Sequence, residues 1–192
     1  MSMQSNLTND LPVPEDDGAC NHLTGKNLPD LELDTTDGRP INFSTVSGYV
    51  VIYIYPMTGR PDVELPDGWA QIPGAMGCTP QTCSFRDHYE EIKRLNSVVY
   101  GLSTQTTEYQ KEAADRLHLS FPLVSDADLK FISSLSIPTM KAAGMILGKR
   151  VTLIANNGVI EKVFYPVFPP GENAEQVIAY LGRRDQGKKI SA

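Results

Sequence analysis

Apolar and polar residues follow different periods along the chain, and these periods predict its secondary structure. The segment Val50 to Tyr55 is β-branched or aromatic at every position and is followed by Pro56, which is typical of a strand buried on both faces. Alternating apolar residues on either side of Asp37-Gly38, from Leu31 to Phe43, predict a small hairpin. Further strands are expected at 98–103, 121–125, 151–155 and 159–164, the last two forming a hairpin across Asn156-Asn157-Gly158.

Between these strands, apolar residues recur every three or four positions, which predicts amphipathic helices at 80–95, 107–117, 127–135 and 172–181. Strands that alternate with helices predict an α/β fold, with a mixed central β-sheet flanked by helices, and this order is compatible with a thioredoxin-like core. The aperiodic residues 1–27 predict a flexible N-terminal arm, residues 28–181 one domain, and residues 182–192 a C-terminal tail.

The composition restricts the classes of function. A formal net charge of -6 argues against a nucleic-acid partner, which would require a basic face. The longest apolar run, Tyr49 to Tyr55, is too short to cross a bilayer, and the N-terminus has neither a basic start nor an apolar signal core. We therefore expect a cytoplasmic protein without a membrane partner. The three cysteines are too few for a secreted disulfide scaffold, so thiol chemistry is the better interpretation.

The chemistry is concentrated in the segment GCTPQTCSFRD, from Gly77 to Asp87. Proline lacks an amide hydrogen and is tolerated in the first turn of a helix, so Pro80 predicts that a helix begins within a residue or two. Cys78 is then expected at the helix N-terminus, beside free backbone N–H groups and the positive end of the helix dipole. This environment favours the thiolate, which is the nucleophilic form.

A helix terminus alone does not ionise a thiol. A free thiol with a pKa of about 8.5 is about 3% ionised at pH 7, and bringing a thiol to a pKa of about 6 takes roughly 3.4 kcal/mol. A helix terminus supplies at most about 2 kcal/mol. The sequence therefore predicts a cation close to the sulfur.

A second cysteine, Cys83, follows five residues after Cys78. In an intact helix this spacing separates the Cα atoms by roughly 8 to 9 Å. A disulfide needs Cα atoms within about 7 Å. The two sulfurs can therefore bond only after the first helical turn unwinds. This predicts a reduced state with an intact helix and an oxidised state in which the first turn of that helix is unwound.

The segment GCTPQTCSFRD resembles the active-site segment of peroxiredoxins, specifically of the bacterioferritin-comigratory (Q-type) branch of the alkyl hydroperoxide reductase/thiol-specific antioxidant family. The resemblance extends from about Leu28 to Leu181. It is supported by the segments LPDLELDTTDGRPINFS, VVIYIYP, YGLSTQ, FPLVSDADL and RVTLIANNGVIEKV. It implies a thioredoxin-like fold and the reduction of hydrogen peroxide or organic hydroperoxides with thiol electrons.

The resemblance also implies a role for each site residue. Cys78 would attack the peroxide and become a sulfenic acid, and Cys83 would condense with it to form an intramolecular disulfide. Arg150 matches the arginine that opens a later strand in the family and would be the required cation. Thioredoxin or a similar dithiol would restore the thiols. The implied protein needs no cofactor or metal and is a monomer or a weak homodimer.

The chain departs from the family pattern before Cys78. The family has a threonine or serine three residues before the attacking cysteine and a proline seven before it, and here these positions are Ala75 and Gln71. We predict that Pro56 is the family's proline, that residues 59–76 are an insertion, and that Thr58 supplies the hydroxyl that binds the peroxide. The insertion also predicts that Trp69 lies near Cys78.

Three other functions compete with this interpretation. A thiol–disulfide oxidoreductase without substantial peroxidase turnover would normally carry a C-x-x-C motif, which is absent. A redox sensor could use the same cysteine chemistry. A structural zinc module could draw its four ligands from Cys20, His22, Cys78 and Cys83, although C-x₄-C is a poor zinc motif. For Cys20 we otherwise expect a structural role.

Overall fold

A computed structural model of the chain describes residues 11–190, with side chains described up to residue 184. Its strands and longer helices are, in chain order, β1 (Asp34–Thr35), β2 (Tyr49–Ile54), α1 (Cys78–Asp87), α2 (Tyr89–Arg94), β3 (Ser97–Ser103), α3 (Thr107–Arg116), β4 (Leu123–Ser125), α4 (Lys130–Leu135), β5 (Thr139–Ala142), β6 (Met145–Gly148), β7 (Val151–Asn156), β8 (Val159–Phe164) and α5 (Asn173–Ile190). Short 3₁₀ turns lie at 43–45, 69–71 and 170–172.

Six of the strands form one mixed sheet in the order β1-β4-β3-β2-β7-β8. The pairs β2–β3 and β3–β4 are parallel, while β2–β7, β7–β8 and β1–β4 are antiparallel. The predicted α/β fold with a mixed sheet is confirmed. In the predicted hairpin between β7 and β8, Asn157 and Gly158 both have positive φ, at 49° and 80°, as a two-residue hairpin turn requires.

Strand β2 separates two apolar cores because successive side chains of a strand point to opposite faces. Val50, Ile52 and Ile54 belong to a core that also contains Phe131 of α4. Val51 and Tyr53 belong to a second core, which contains side chains of α1, α2, α3 and α5. All six residues of β2 are buried, as the uninterrupted apolar run predicted.

Two predicted local structures differ from the observed ones. The N-terminal hairpin is confirmed at one antiparallel bridge, between Leu33 and Ile41, while β1 pairs with β4. The helix predicted over 80–95 is two helices, because the chain leaves helical geometry at His88, with φ -100° and ψ 7°. The hairpin of β5 and β6 was not predicted, since Lys141 and Gly144 interrupt the apolar pattern there.

The predicted arm and tail also need correction. Cys20 and Leu23 lie in the first core and are 4% and 0% exposed, so the arm is not loose at these residues. At the other end, α5 continues to Ile190, well beyond the predicted helix end at Leu181. Residues 1–10 of the predicted arm and residues 191–192 of the predicted tail lie outside the described residues. Within the described chain, each helix is too short or too polar to cross a membrane.

Candidate active site

The site is organised around the first residue of α1. Gly77 is the residue that caps this helix, and it has φ 101°, a conformation that side chains with a Cβ rarely adopt. A Cβ at this position would also overlap the ring of Pro170, at the turn before α5. Glycine is therefore required for both the turn into α1 and its close packing against residues 170–172.

Cys78 is the first residue of α1, as the position of Pro80 predicted. It is 3% exposed and belongs to the second core. Its Sγ lies 3.6 Å from the carbonyl oxygen of Ala75 and 3.2 Å from Nη2 of Arg150. The sulfur therefore lies at a helix N-terminus in contact with a guanidinium, which is the arrangement that stabilises a thiolate.

Several polar groups hold Arg150 in this position, immediately before β7. Its Nη2 also donates to the carbonyl oxygens of Gly74 and Met76, each at 3.1 Å, and its Nη1 donates to Oε1 of Gln81. The side chain is 3% exposed. Because a buried guanidinium needs hydrogen-bond acceptors on several sides, these contacts fix its plane beside the sulfur.

Cys83 lies on the same helix, partly exposed, and all three thiols are free. The first turn is closed by the hydrogen bond from Gln81 N to Gly77 O, at 3.0 Å. Helix α1 is therefore intact through both cysteines, and a bond between their sulfurs requires this turn to open.

Several known proteins are similar to this chain in sequence. A family model described as Redoxin matches residues 23–178. The peroxiredoxin Q of Sedum lineare is 30% identical over 158 residues, covering 82% of this chain and 76% of that protein. The peroxiredoxin Q of Oryza sativa subsp. japonica is 28% identical, over 82% of this chain and 65% of its own length. The chain belongs to the redoxin family and is a peroxiredoxin of the Q type.

Solved structures agree on the fold of this peroxiredoxin. Peroxidoxin BcpB of Mycobacterium tuberculosis superposes with a TM-score of 0.69 at 24% identity, over 84% of this chain and 98% of that one. A mutant of Xylella fastidiosa PrxQ gives a TM-score of 0.70 at 20% identity, over 85% of this chain and 98% of that one. The thioredoxin-like fold is therefore confirmed. Thiol-dependent peroxidase activity is the function that the family membership supports.

The structure does not bring Thr58 and Pro56 into contact with the sulfur through any described hydrogen bond. Thr58 donates from its backbone N to Oε1 of Gln105, at 3.2 Å, and its carbonyl accepts from the hydroxyl of Tyr109, at 2.9 Å. The carbonyl of Pro56 accepts from Ser103 Oγ, at 3.0 Å. The Thr58 hydroxyl is buried and has no partner among the described residues. Its role toward a peroxide stays a prediction.

Ala75 lies beside the site through its backbone. Its carbonyl oxygen is 3.6 Å from Cys78 Sγ and 3.4 Å from Arg150 Nη2. The position three residues before Cys78 therefore adjoins the pair of Cys78 and Arg150 in this peroxiredoxin, but an alanine offers no hydroxyl there.

Residues 59–76, the predicted insertion, make contacts with the rest of the chain. Trp69 is 3% exposed and shares a small apolar cluster with Met57, Ala75 and Leu147. Arg116 of α3 donates to the carbonyl of Gly59, at 2.9 Å. Trp69 thus shares a cluster with Ala75, three residues before the sulfur, and its own nearness to Cys78 stays a prediction.

The four-ligand zinc module is wrong. Cys20 belongs to the core on one face of the sheet and Cys78 to the core on the other. The side chain of His22 hydrogen-bonds the carbonyl of Leu135, at 2.8 Å. The four proposed ligands therefore do not converge, and the described residues contain no cluster of three or more metal-ligating side chains.

Sequence reasoning missed a chain of buried polar side chains behind Arg150. It consists of Gln81 on α1, Thr152 on β7 and Asn173 at the start of α5, each 0% exposed. One signal was available: Thr152 is the polar residue within the apolar run from Val151 to Ala155, two positions after Arg150 and so on the same face of the sheet. The partners of a buried polar residue cannot be read from the sequence.

Proposed function

We propose that Cys78 is the peroxidatic cysteine, Cys83 the resolving cysteine and Arg150 the cation that activates the first and binds the peroxide. The observation that carries this assignment is the 3.2 Å contact between Arg150 Nη2 and Cys78 Sγ at the first residue of α1. The helix terminus and the guanidinium both favour negative charge on the sulfur.

In the first step, the Cys78 thiolate attacks the terminal oxygen of the hydroperoxide. The O–O bond breaks, the sulfur is oxidised to a sulfenic acid, and the leaving alkoxide or hydroxide takes a proton to become an alcohol or water. Arg150 Nε is buried without a hydrogen-bond partner among the described residues, so the guanidinium keeps a donor for a peroxide oxygen.

In the second step, α1 unwinds and the Cys83 thiol attacks the sulfenic sulfur, which releases water and leaves a Cys78–Cys83 disulfide. A dithiol such as thioredoxin then reduces this disulfide by exchange. The partly exposed Cys83 supports its accessibility to a reductant. Such a cycle requires a reducing compartment, so we retain the cytoplasm as the proposed location and a monomer or weak homodimer as the proposed form.

A cleft of about 410 Å³ beside Arg150 supports organic hydroperoxides as well as hydrogen peroxide. Its walls are mainly apolar, and they are supplied by three separate parts of the chain: Val13 and Pro14, Ile72 and Pro73, and Pro166 and Val167. Arg150 and Lys149, together with the carboxylates of Glu15 and Asp17, supply the charged part of the lining. Mainly apolar walls with charged groups beside them suit a molecule with a hydrocarbon part and one polar end.

The test is the consumption of hydrogen peroxide and of cumene hydroperoxide by the wild-type protein with a thioredoxin system. Cys78→Ser should abolish turnover with both. Cys83→Ser should complete one turnover and stall, leaving a sulfenic acid that dimedone traps at Cys78, while Cys20→Ser should turn over like the wild type. Disulfide reduction without peroxide consumption would favour the oxidoreductase alternative and refute the proposed function.

A further inference from the structure

The amide of Gln81 has one orientation that satisfies both of its neighbours. Arginine carries only donors, so Gln81 must present Oε1 to Nη1 of Arg150. Its Nε2 must then donate, and it does so to Oδ1 of Asn173, at 2.9 Å. A flipped amide would direct N–H groups at the guanidinium and Oε1 at Asn173 Oδ1, which would leave the guanidinium without this acceptor and the Asn173 oxygen without this donor.

Asn173 is held in turn by contacts that fix its own orientation. Thr152 Oγ1 donates to the same Oδ1, at 2.7 Å, and Asn173 Nδ2 lies 3.4 Å from Oε1 of Gln176. Thr152 and Gln81 therefore both donate hydrogen bonds to the same Asn173 oxygen. Because Asn173 is 0% exposed, no water competes for its oxygen.

This chain of hydrogen bonds connects the start of α5 to the middle of the redox-active turn. Gln81 lies between the two cysteines, so the unwinding of α1 that brings Cys83 to Cys78 must withdraw its side chain from Arg150 and Asn173. The same contact thus orients the cation while the sulfur is reduced and opposes the unwinding that follows oxidation.

We propose that Asn173 is a positioning residue of the peroxidase, which holds the Gln81 oxygen toward Arg150 and keeps α1 wound around Cys78. This inference rests on the proposed function. Without the Asn173 oxygen, the Gln81 amide is free to turn and Arg150 loses a fixed acceptor, so oxidation of Cys78 slows. The intact helix α1 also loses a stabilising contact, so the rate of disulfide formation should stay the same or increase.

The test measures the two steps separately by rapid mixing of reduced protein with hydrogen peroxide, followed by dimedone trapping and by thiol loss. For Asn173→Ala we expect sulfenic acid formation to fall by about tenfold, as misplaced catalytic groups commonly cause, with disulfide formation at least as fast as in the wild type. A fall of less than threefold, or a slower second step, would overturn the inference.

Two further variants make the result specific. Glu175→Ala changes an exposed residue of α5, two positions after Asn173 and outside this chain of hydrogen bonds, and should behave like the wild type in both steps; a loss equal to that of Asn173→Ala would overturn the inference. Thr152→Val removes one donor to Asn173 Oδ1. If Asn173→Ala does not fold, Thr152→Val takes its place, and a fall in its rate of sulfenic acid formation of less than threefold would overturn the inference. A wild-type protein that forms no sulfenic acid would instead refute the proposed function.

Discussion

Arg150 and Cys78 are 72 residues apart in the chain, yet Nη2 of the arginine lies 3.2 Å from the sulfur. Opposite charges about 4 Å apart interact by about 4 kcal/mol at an effective dielectric constant of about 20. A helix N-terminus contributes at most about 2 kcal/mol. The guanidinium is therefore the larger of the two influences on the thiolate, and the site depends on β7 holding Arg150 against the start of α1.

The first prediction concerns the arginine itself. Arg150→Met should lower kcat/KM for hydrogen peroxide by about 10- to 100-fold, because a hydrogen bond to a charged group contributes about 1.5 to 3 kcal/mol. Arg150→Lys should recover only part of the loss, since a lysine ammonium cannot contact Gln81, the loop carbonyls and the sulfur together. Steady-state peroxide consumption measures both variants.

Arg39→Met is a suitable control, since Arg39 is a surface residue whose side chain is 87% exposed. Thermal melts should accompany the kinetics because Arg150→Met also leaves buried acceptors unpaired. Activity of a folded Arg150→Met protein within twofold of the wild type would contradict the role of the cation.

The second prediction concerns Thr58. Its hydroxyl is buried without a partner among the described residues, and an unsatisfied buried hydroxyl costs about 1 to 3 kcal/mol. Thr58→Val should therefore leave the free energy of unfolding unchanged or increase it by about 1 kcal/mol. If the hydroxyl binds the peroxide, the same variant should lower kcat/KM severely, by about tenfold or more.

Thr58→Ser retains the hydroxyl and should keep most of the activity. Urea unfolding gives the stability of each variant, and peroxide consumption gives the activity. Near-normal kcat/KM in Thr58→Val would remove Thr58 from the site and leave Arg150 as the proposed hydrogen-bond donor to the peroxide.

The third prediction concerns the turn into α1. Gly77→Ala places a side chain both at φ 101° and against Pro170, so it should destabilise the fold by more than the about 1 to 3 kcal/mol of backbone strain alone. Gly25→Ala is the matched control, because Gly25 has φ 86° and open space around it. Urea unfolding of the two variants separates strain from the clash; equal losses would show that contact with Pro170 has no energetic consequence.

The sequence predicted those parts of the fold that local rules determine. Pro80 located the start of α1 because its missing amide hydrogen restricts it to the first turn. The apolar run of β2 and the Asn157-Gly158 turn were identified for similar reasons. The candidate site residues Cys78, Cys83 and Arg150 came from the cysteine spacing and from the family resemblance, and the structure brings Cys78 and Arg150 into contact.

What the sequence could not supply depends on distant partners. The break at His88 divides a segment with uninterrupted helical periodicity. The N-terminal hairpin keeps one bridge, between Leu33 and Ile41, while β1 pairs with the distant β4. The polar residues around Cys20 concealed that its segment packs into a core. The orientation of Gln81 depends on Asn173, 92 residues later, and no local pattern reveals such a pair.

The fourth prediction concerns Cys20, which is 4% exposed. Burial, together with the nearby charges of Asp17 and Asp16, raises the pKa of this thiol to about 12. The thiol is therefore protonated at pH 8 and shielded from reagents. Iodoacetamide should label the partly exposed Cys83 in the reduced native protein at pH 8, and should reach Cys20 only in urea, as peptide mass spectrometry would detect.

The same shift gives a pH dependence of stability with a definite sign. The pKa of Cys20 is higher in the folded state than its ordinary value of 9.0. Below pH 9 both states keep the proton, and above it the unfolded chain loses the proton first, so stability falls as the pH rises from about 9 to about 12. Between pH 8 and pH 10.5 the wild type should lose about 1 to 2 kcal/mol more than Cys20→Ala, in which the other titrating groups are unchanged. Equal losses in the two proteins would mean that the Cys20 thiol ionises as readily in the fold as in the unfolded chain.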